Sequence, residues 1–208
     1  MSDLAYHHRF EPAPAGAPPA PPLLLLHGTG GDENDLIPLA RRISPGSAIL
    51  SPRGDVVERG ARRFFARLAE GVFDPAEVRT RAATLATFIR EASVRYGLDS
   101  SQLTAVGLSN GANIAAVLLQ LHPNTLGGTV LLRPMVVLDQ PAAPGSLAGK
   151  RVLIASGRAD PIVPTDHPPR LAALLKAGGA DVAVHFFNAG HNLTADDLTV
   201  SQDFLARR

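Results

Sequence analysis

Short runs with few polar positions recur along the chain: Leu23–Leu26, Leu103–Leu108, Thr129–Leu132, Arg151–Ala155 and Val182–Phe187. Apolarity without alternation over so few residues predicts strands of a parallel sheet covered on both faces, since one wet face would leave every second position polar. Ala48–Leu50 reads as a further short strand and Ala5–Phe10 as an edge strand. Between these runs the spacing changes. Leu36, Leu39, Ala40 and Ile43 keep helical period, and Pro45-Gly46 stops them. Val78, Ala82, Leu85, Ile89 and Ala92 form one stripe. Asp74-Pro75-Ala76-Glu77 starts that helix, with Asp as N-cap and Pro at the first helical position, and Gly97 ends it.

Ala112–Leu119 opens another helix, closed by His122-Pro123, where the C-terminal dipole accounts for the histidine. Leu171, Leu174 and Leu175 predict a helix ended by Gly178-Gly179. Thr194-Ala195-Asp196-Asp197 is a box-like start for the last one. Strands that alternate with helices predict a mostly parallel sheet with helices on both faces. Three segments fall outside the pattern. Glu11–Pro22 is Ala/Pro/Gly-rich and reads as a surface loop. Gly60–Phe73 gathers Phe64, Phe65 and Phe73 among Arg62, Arg63 and Arg67. It reads either as a small satellite core under a loop or as an apolar wall beside a site. Arg133–Gly149 is too short for a lid domain.

Composition narrows the classes. A length of 208 residues suits one sizeable core, so a single domain over 1–208 is expected. The net charge is +1 with no block of one sign, which argues against a nucleic-acid partner. With no cysteine there is no disulfide, thiolate metal site or cysteine nucleophile. His7-His8 lacks metal-ligand spacing, and neither a metal nor another cofactor is expected. No run is long enough to span a bilayer, and Leu23–Leu26 is too short for a signal core, so a cytoplasmic location is expected. A homodimer is compatible with the sequence, which does not decide it.

Chemistry concentrates in Gly107-Leu108-Ser109-Asn110-Gly111, set between a strand and a helix. That is the context of a nucleophile elbow, whose tight turn lifts the serine hydroxyl clear of the sheet. After Leu26 comes His27-Gly28-Thr29-Gly30-Gly31. It lacks the Gly-Lys-Ser/Thr of a P-loop, and serves better as half of an oxyanion hole with the Thr29 N–H as donor. His27 leaves the strand beneath that loop and reads as structural. A serine needs a base, and the base needs an orienting group. Ser109, Asp160 and His191 each fall just past a predicted strand, where a parallel sheet gathers its strand ends on one edge. His185 inside a strand and His167 near a helix start are weaker bases. Taken singly, Asp160 is also a plausible turn residue before Pro161, and His191 a helix-start residue.

The motifs LLLLHGTGGDENDL, GLSNGAN, GRADPIVP and AGHNL resemble the phospholipase/carboxylesterase family of α/β-hydrolases, small lidless esterases similar to acyl-protein thioesterases. The Ser-Asn-Gly-Ala-Asn form is similar to a bacterial branch of carboxylesterases and hydroquinone-resistance hydrolases. The resemblance implies an α/β-hydrolase fold and a small-molecule ester substrate. It implies Ser109 as nucleophile, His191 as base and Asp160 as its orienter. The N–H groups of Thr29 and Asn110 would then form the oxyanion hole. Short- to medium-chain esters are expected, with Phe64 and Phe65 as pocket candidates. Thioester or lysophospholipid cleavage on the same fold is the near alternative, and a non-catalytic small-molecule receptor the distant one. The Pro/Ala-rich Glu11–Pro22 loop matches no motif of that family.

Overall fold

A computed structural model describes residues 4–207. Its centre is a sheet built from β1 (His8–Glu11), β2 (Leu23–Leu26), β3 (Ile49–Pro52), β6 (Thr104–Leu108), β7 (Gly128–Leu132), β8 (Arg151–Gly157) and β9 (Asp181–Phe187). Between β3 and β6 a separate hairpin pairs β4 (Val56–Glu58) with β5 (Ala61–Arg63). The spatial order in the large sheet is β1-β3-β2-β6-β7-β8-β9. β1 is antiparallel to β3, and every other neighbour is parallel.

The four leucines of β2 are fully buried, each side chain contributing about 1.5–3 kcal/mol of transfer free energy. Because strand side chains alternate, they divide between two cores. Leu24 and Leu26 join Ala105, Leu131 and Ile154 beneath α2 (Pro75–Tyr96), α3 (Asn110–Leu121) and α4 (His167–Ala177). Leu23 and Leu25 join Val106, Val130 and Leu153 beneath α1 (Ile37–Ile43) and α5 (Ala195–Ala206). The sheet is thus mostly parallel and covered by helices on both faces, as the unbroken apolar runs require.

Local signals set the helix ends. The Asp74 carboxylate accepts from the Ala76 N–H, and Gly97 caps the other end of α2 at φ 65°. Thr194 and Asp197 complete a capping box on α5. His122 does stand at the C-cap of α3, but burial, aided by Arg90, pushes its imidazole below the ordinary range. The edge strand begins at His8 rather than Ala5. The Glu11–Pro22 loop holds no regular element after β1.

The β4–β5 hairpin departs from the expectation of an irregular connection. Its two-residue turn, Arg59-Gly60, has φ of 51° and 83°, the doubly positive φ of a type I′ hairpin. Strands of three residues carry too little periodicity to be read from sequence. Among the described residues, no helix is long and apolar enough to cross a membrane.

Of the described glycines, Gly111 has the least room for a side chain, where α3 passes over β2. A Cβ added at Gly111 would lie 1.9 Å from the Leu26 carbonyl oxygen, and one at Gly107 would lie 2.6 Å from that of Gly111. Both obstacles are backbone and cannot swing aside. Gly111→Ala should therefore destabilise the fold by about 3 kcal/mol or more through overpacking. Urea unfolding will measure it, and a loss under about 1 kcal/mol would mean that α3 can slide on the sheet.

Candidate active site

β6 and α3 meet at Ser109, which adopts φ 52° and ψ −115°. A non-glycine residue held there stores of the order of 1–3 kcal/mol of strain, so the surroundings must over-determine it. They do: the Ser109 N–H donates to the Leu132 carbonyl at 2.8 Å, and its own carbonyl accepts from Asn113 at 2.9 Å.

The loops after β8 and β9 are joined side by side. Arg158 N–H donates to the Phe187 carbonyl at 2.8 Å, and Ala159 N–H to that of Ala189 at 3.0 Å. Gly157 permits this approach, since a Cβ there would lie 2.3 Å from the Ala189 oxygen. The result is one hydrogen-bonded line. Asp160 Oδ1 accepts from the N–H groups of Ile162 and Val163 at 2.8 and 3.2 Å. Asp160 Oδ2 accepts from His191 Nδ1 at 2.8 Å, and His191 Nε2 lies 3.0 Å from Ser109 Oγ. A carboxylate can only accept, so Nδ1 carries the proton and Nε2 is left to take one from the hydroxyl. The Asp160 side chain is 1% exposed and that of His191 23%, so the carboxylate is sealed while the imidazole reaches the cavity.

Thr29 lies in the loop after β2, and Asn110 is the first residue of α3, next to this serine. Among the described residues, neither backbone N–H has a hydrogen-bond acceptor. Their side chains, by contrast, are held by the end of the β4–β5 hairpin. Arg63 Nη1 donates to Thr29 Oγ1 at 2.6 Å, and Phe64 N–H donates to Asn110 Oδ1 at 2.7 Å. The Arg62 carbonyl accepts from Gly30 at 2.9 Å. Three consecutive residues, Arg62 and Arg63 at the end of β5 and Phe64 just after it, thus clamp the Thr29 loop and the start of α3. The outer part of the first loop is tied by the Glu33–Arg53 ion pair; the Arg53 hydrogen bonds hold the Glu33 carboxyl down to about 2 against its burial.

Ser109 and His191 open onto a cavity of about 450 Å³. Its apolar lining includes Phe73, Leu108, Met135, Ile162, Val163 and Leu193. Phe64 and Phe65 are not part of it, which corrects the expectation from sequence: both are fully buried in the core, Phe64 against the His27 ring and Phe65 against Phe73. Of the three clustered phenylalanines only Phe73 reaches the cavity; the other two are packed into the core. A larger groove of about 610 Å³ lies at the opposite ends of the strands, beside the Pro-rich loop, and contains none of these residues. The other histidines have different partners. His167 Nδ1 accepts from the Val136 N–H at 3.1 Å. His185 lies beside the Phe187 ring on β9.

The family model for dienelactone hydrolases matches residues 13–206. The chain belongs to the dienelactone hydrolase family. This dienelactone hydrolase relative is 41% identical over 182 residues to the protein MhqD of Bacillus subtilis (strain 168), covering 88% of this chain and 90% of MhqD. It is similar to a Bacillus cereus carboxylesterase structure at 41% identity and TM-score 0.92, covering 98% of this chain and 94% of that one. A carboxylesterase structure from Mesorhizobium loti is 36% identical with TM-score 0.91, covering 100% and 98%. Membership of this family makes the chain an enzyme, a hydrolase of the α/β-hydrolase fold, in agreement with the esterase resemblance of its motifs.

His27 makes the cleanest test of site architecture. Its Nε2 accepts from the Gly54 N–H at 2.9 Å and its Nδ1 donates to the Gly28 carbonyl at 2.7 Å, which defines a neutral tautomer. Burial is the main reason its imidazole is pushed below the ordinary 6.5. Above that value folded and unfolded chains are both neutral here. Below it the unfolded chain takes up a proton that the folded one refuses. Stability should therefore decline as pH falls from about 6.5 towards the depressed folded value. His27→Gln should be less stable at neutral pH and lack this component of the slope. Urea midpoints from pH 5 to 8 will show it, and parallel profiles for the two proteins would refute the assignment.

Proposed function

We propose that this hydrolase cleaves short- to medium-chain carboxylic esters through an acyl-enzyme on Ser109. The observation that carries the reading is the continuous hydrogen-bond line from Asp160 through His191 to Ser109, beside two unengaged amides. In the proposed cycle His191 Nε2 takes the hydroxyl proton while Ser109 Oγ attacks the ester carbonyl carbon. The carbonyl oxygen becomes an oxyanion that accepts from the N–H groups of Thr29 and Asn110, a contribution that is usually the largest single one. His191 returns the proton to the alkoxy oxygen, the C–O bond breaks, and the alcohol leaves. Water then gives a proton to His191 and attacks the acyl carbon. Collapse of that second intermediate returns the proton to Ser109 Oγ and releases the acid. Asp160 holds the tautomer throughout and stays ionised.

Ser109→Ala should fold at least as well as the parent, because it removes a half-exposed hydroxyl from a strained residue. Its turnover of 4-nitrophenyl esters should drop by about three orders of magnitude or more. A fluorophosphonate should label the parent and leave the variant untouched. Near-parental turnover in the variant would overturn the nucleophile, and an unlabelled parent would favour a receptor.

Chain length follows from the cavity. Each methylene gains about 0.8 kcal/mol only while apolar wall remains to bury it. The wall of Phe73, Met135, Ile162 and Leu193 supports a shallow acyl site. Efficiency, kcat/KM, should rise over the first carbons and level off by about eight. Phe73→Ala should shift that optimum, whereas Phe64→Ala should mainly destabilise, by about 3–5 kcal/mol. Ester series below the micelle threshold will check this. Efficiency that keeps rising to palmitoyl esters would favour a lysophospholipid or acyl-protein substrate instead.

A further inference from the structure

The buried guanidinium of Arg133 stands behind the His191 loop, and all of its donors are used. The residue directly follows β7, takes φ 57°, and is 0% exposed. Nε donates to the Gly190 carbonyl at 3.0 Å, and Nη2 to the Asn192 carbonyl at 2.9 Å. Nη1 donates to the Ala155 carbonyl at 3.2 Å. Nη1 and Nη2 also bind the two oxygens of Asp197 at 2.7 and 2.8 Å. A guanidinium offers five N–H groups in a rigid fork, and here five acceptors meet them.

The two outer carbonyls belong to the residues immediately before and after His191. Asp197 in turn accepts from the Thr194 N–H and hydroxyl at 2.8 and 3.0 Å, where the loop enters α5. On the other side, the carbonyl of Leu132, the residue preceding Arg133, accepts from the Ser109 N–H at 2.8 Å. One short segment of chain therefore holds the serine by its backbone and the imidazole by the peptide groups that flank it.

We propose that Arg133 is a positioning residue for catalysis, which fixes the His191 ring at hydrogen-bonding distance from Ser109. The proposal rests on the reading of His191 as base. Arg133 borders the cavity of about 450 Å³, but it is fully buried with every donor engaged by the chain. Loosening this fork therefore acts first on the imidazole and leaves the apolar wall of Phe73, Ile162 and Leu193 in place. A displacement of about 1 Å in a reacting group costs roughly a hundredfold in rate.

Arg133→Lys keeps the charge but offers three donors on a flexible stem, so it cannot hold both carbonyls and the carboxylate together. The expected result is a fall in kcat of roughly a hundredfold with KM within about threefold of the parent. The downfield proton resonance of the His191–Asp160 hydrogen bond should broaden or vanish. Thr194→Ala is the control for a purely structural role: it weakens the α5 cap while leaving the two carbonyl contacts in place, and should lower Tm but keep kcat. Should Arg133→Lys fail to fold, Asp197→Asn decides, since it weakens the anchor of the same fork and should lower kcat by about tenfold. Parental kcat in whichever of these two variants folds would overturn the proposal. So would an equal loss of turnover in Thr194→Ala at a matched fall in Tm. His191→Ala separates the two failures. If that variant is active the base is misassigned; if it is dead while Arg133→Lys is normal, only the positioning role falls.

Discussion

The approach of α3 to β2 is the constraint on which the site depends. At Gly111 the two backbones pass too closely for any side chain, so α3 must begin at the very edge of the sheet. The chain then has one residue, Ser109, in which to turn from β6 into the helix, and it does so at positive φ. That conformation costs of the order of 1–3 kcal/mol and is sustained by α3, buried over all but its last residue, packed on β2, β6 and β7. The strain sets the hydroxyl out from the sheet, and it leaves the amide of Asn110 unused beside it.

Two groups of residues from elsewhere in the chain then fix what surrounds the hydroxyl. The β4–β5 hairpin holds Thr29, Gly30 and Asn110 through three consecutive residues. Arg133 holds the peptide groups on either side of His191. Both use buried arginine, and burial has a cost. It works to lower the pKa of Arg63, opposed by Glu58 at 3.5 Å. At Asp197 burial works to raise the carboxyl, and the hydrogen bonds from Arg133 and Thr194 outweigh it, so that it lies below its ordinary value. Buried pairs of this kind seldom add much net stability over apolar packing, while removing one partner is strongly destabilising. Their use here is geometric: a planar fork fixes directions that a leucine could not.

Much of this was legible in the sequence because it is local. Unbroken apolar runs, a capping aspartate before Pro75, a glycine at the end of α2 and the Gly-x-Ser-x-Gly turn each act within a few residues, so their pattern is visible in order along the chain. The placement of Ser109, Asp160 and His191 past the ends of β6, β8 and β9 was readable for the same reason, since a parallel sheet collects its strand ends on one edge. The hairpin was not readable, because three-residue strands carry almost no period. Phe64 and Phe65 could not be told from Phe73 by composition alone: all three cluster in one short segment, and only the packing buries the first two and leaves Phe73 on the cavity.

Arg133 marks the boundary between what the sequence by itself determined and what only the tertiary structure decided. In sequence it is one arginine at the head of a Pro/Ala/Gly-rich stretch, with nothing to mark its partners. Its acceptors lie 22 to 64 residues away, on β8, the His191 loop and α5. The sequence determined that strands and helices alternate, where most of them start and stop, and which side chains the proposed chemistry rests on. The folded chain decided which rings line the cavity and which distant groups hold the imidazole, the Thr29 loop and the start of α3. The physical reason is that a hydrogen bond needs its partners within about 3 Å, and only packing brings residues so far apart to that distance.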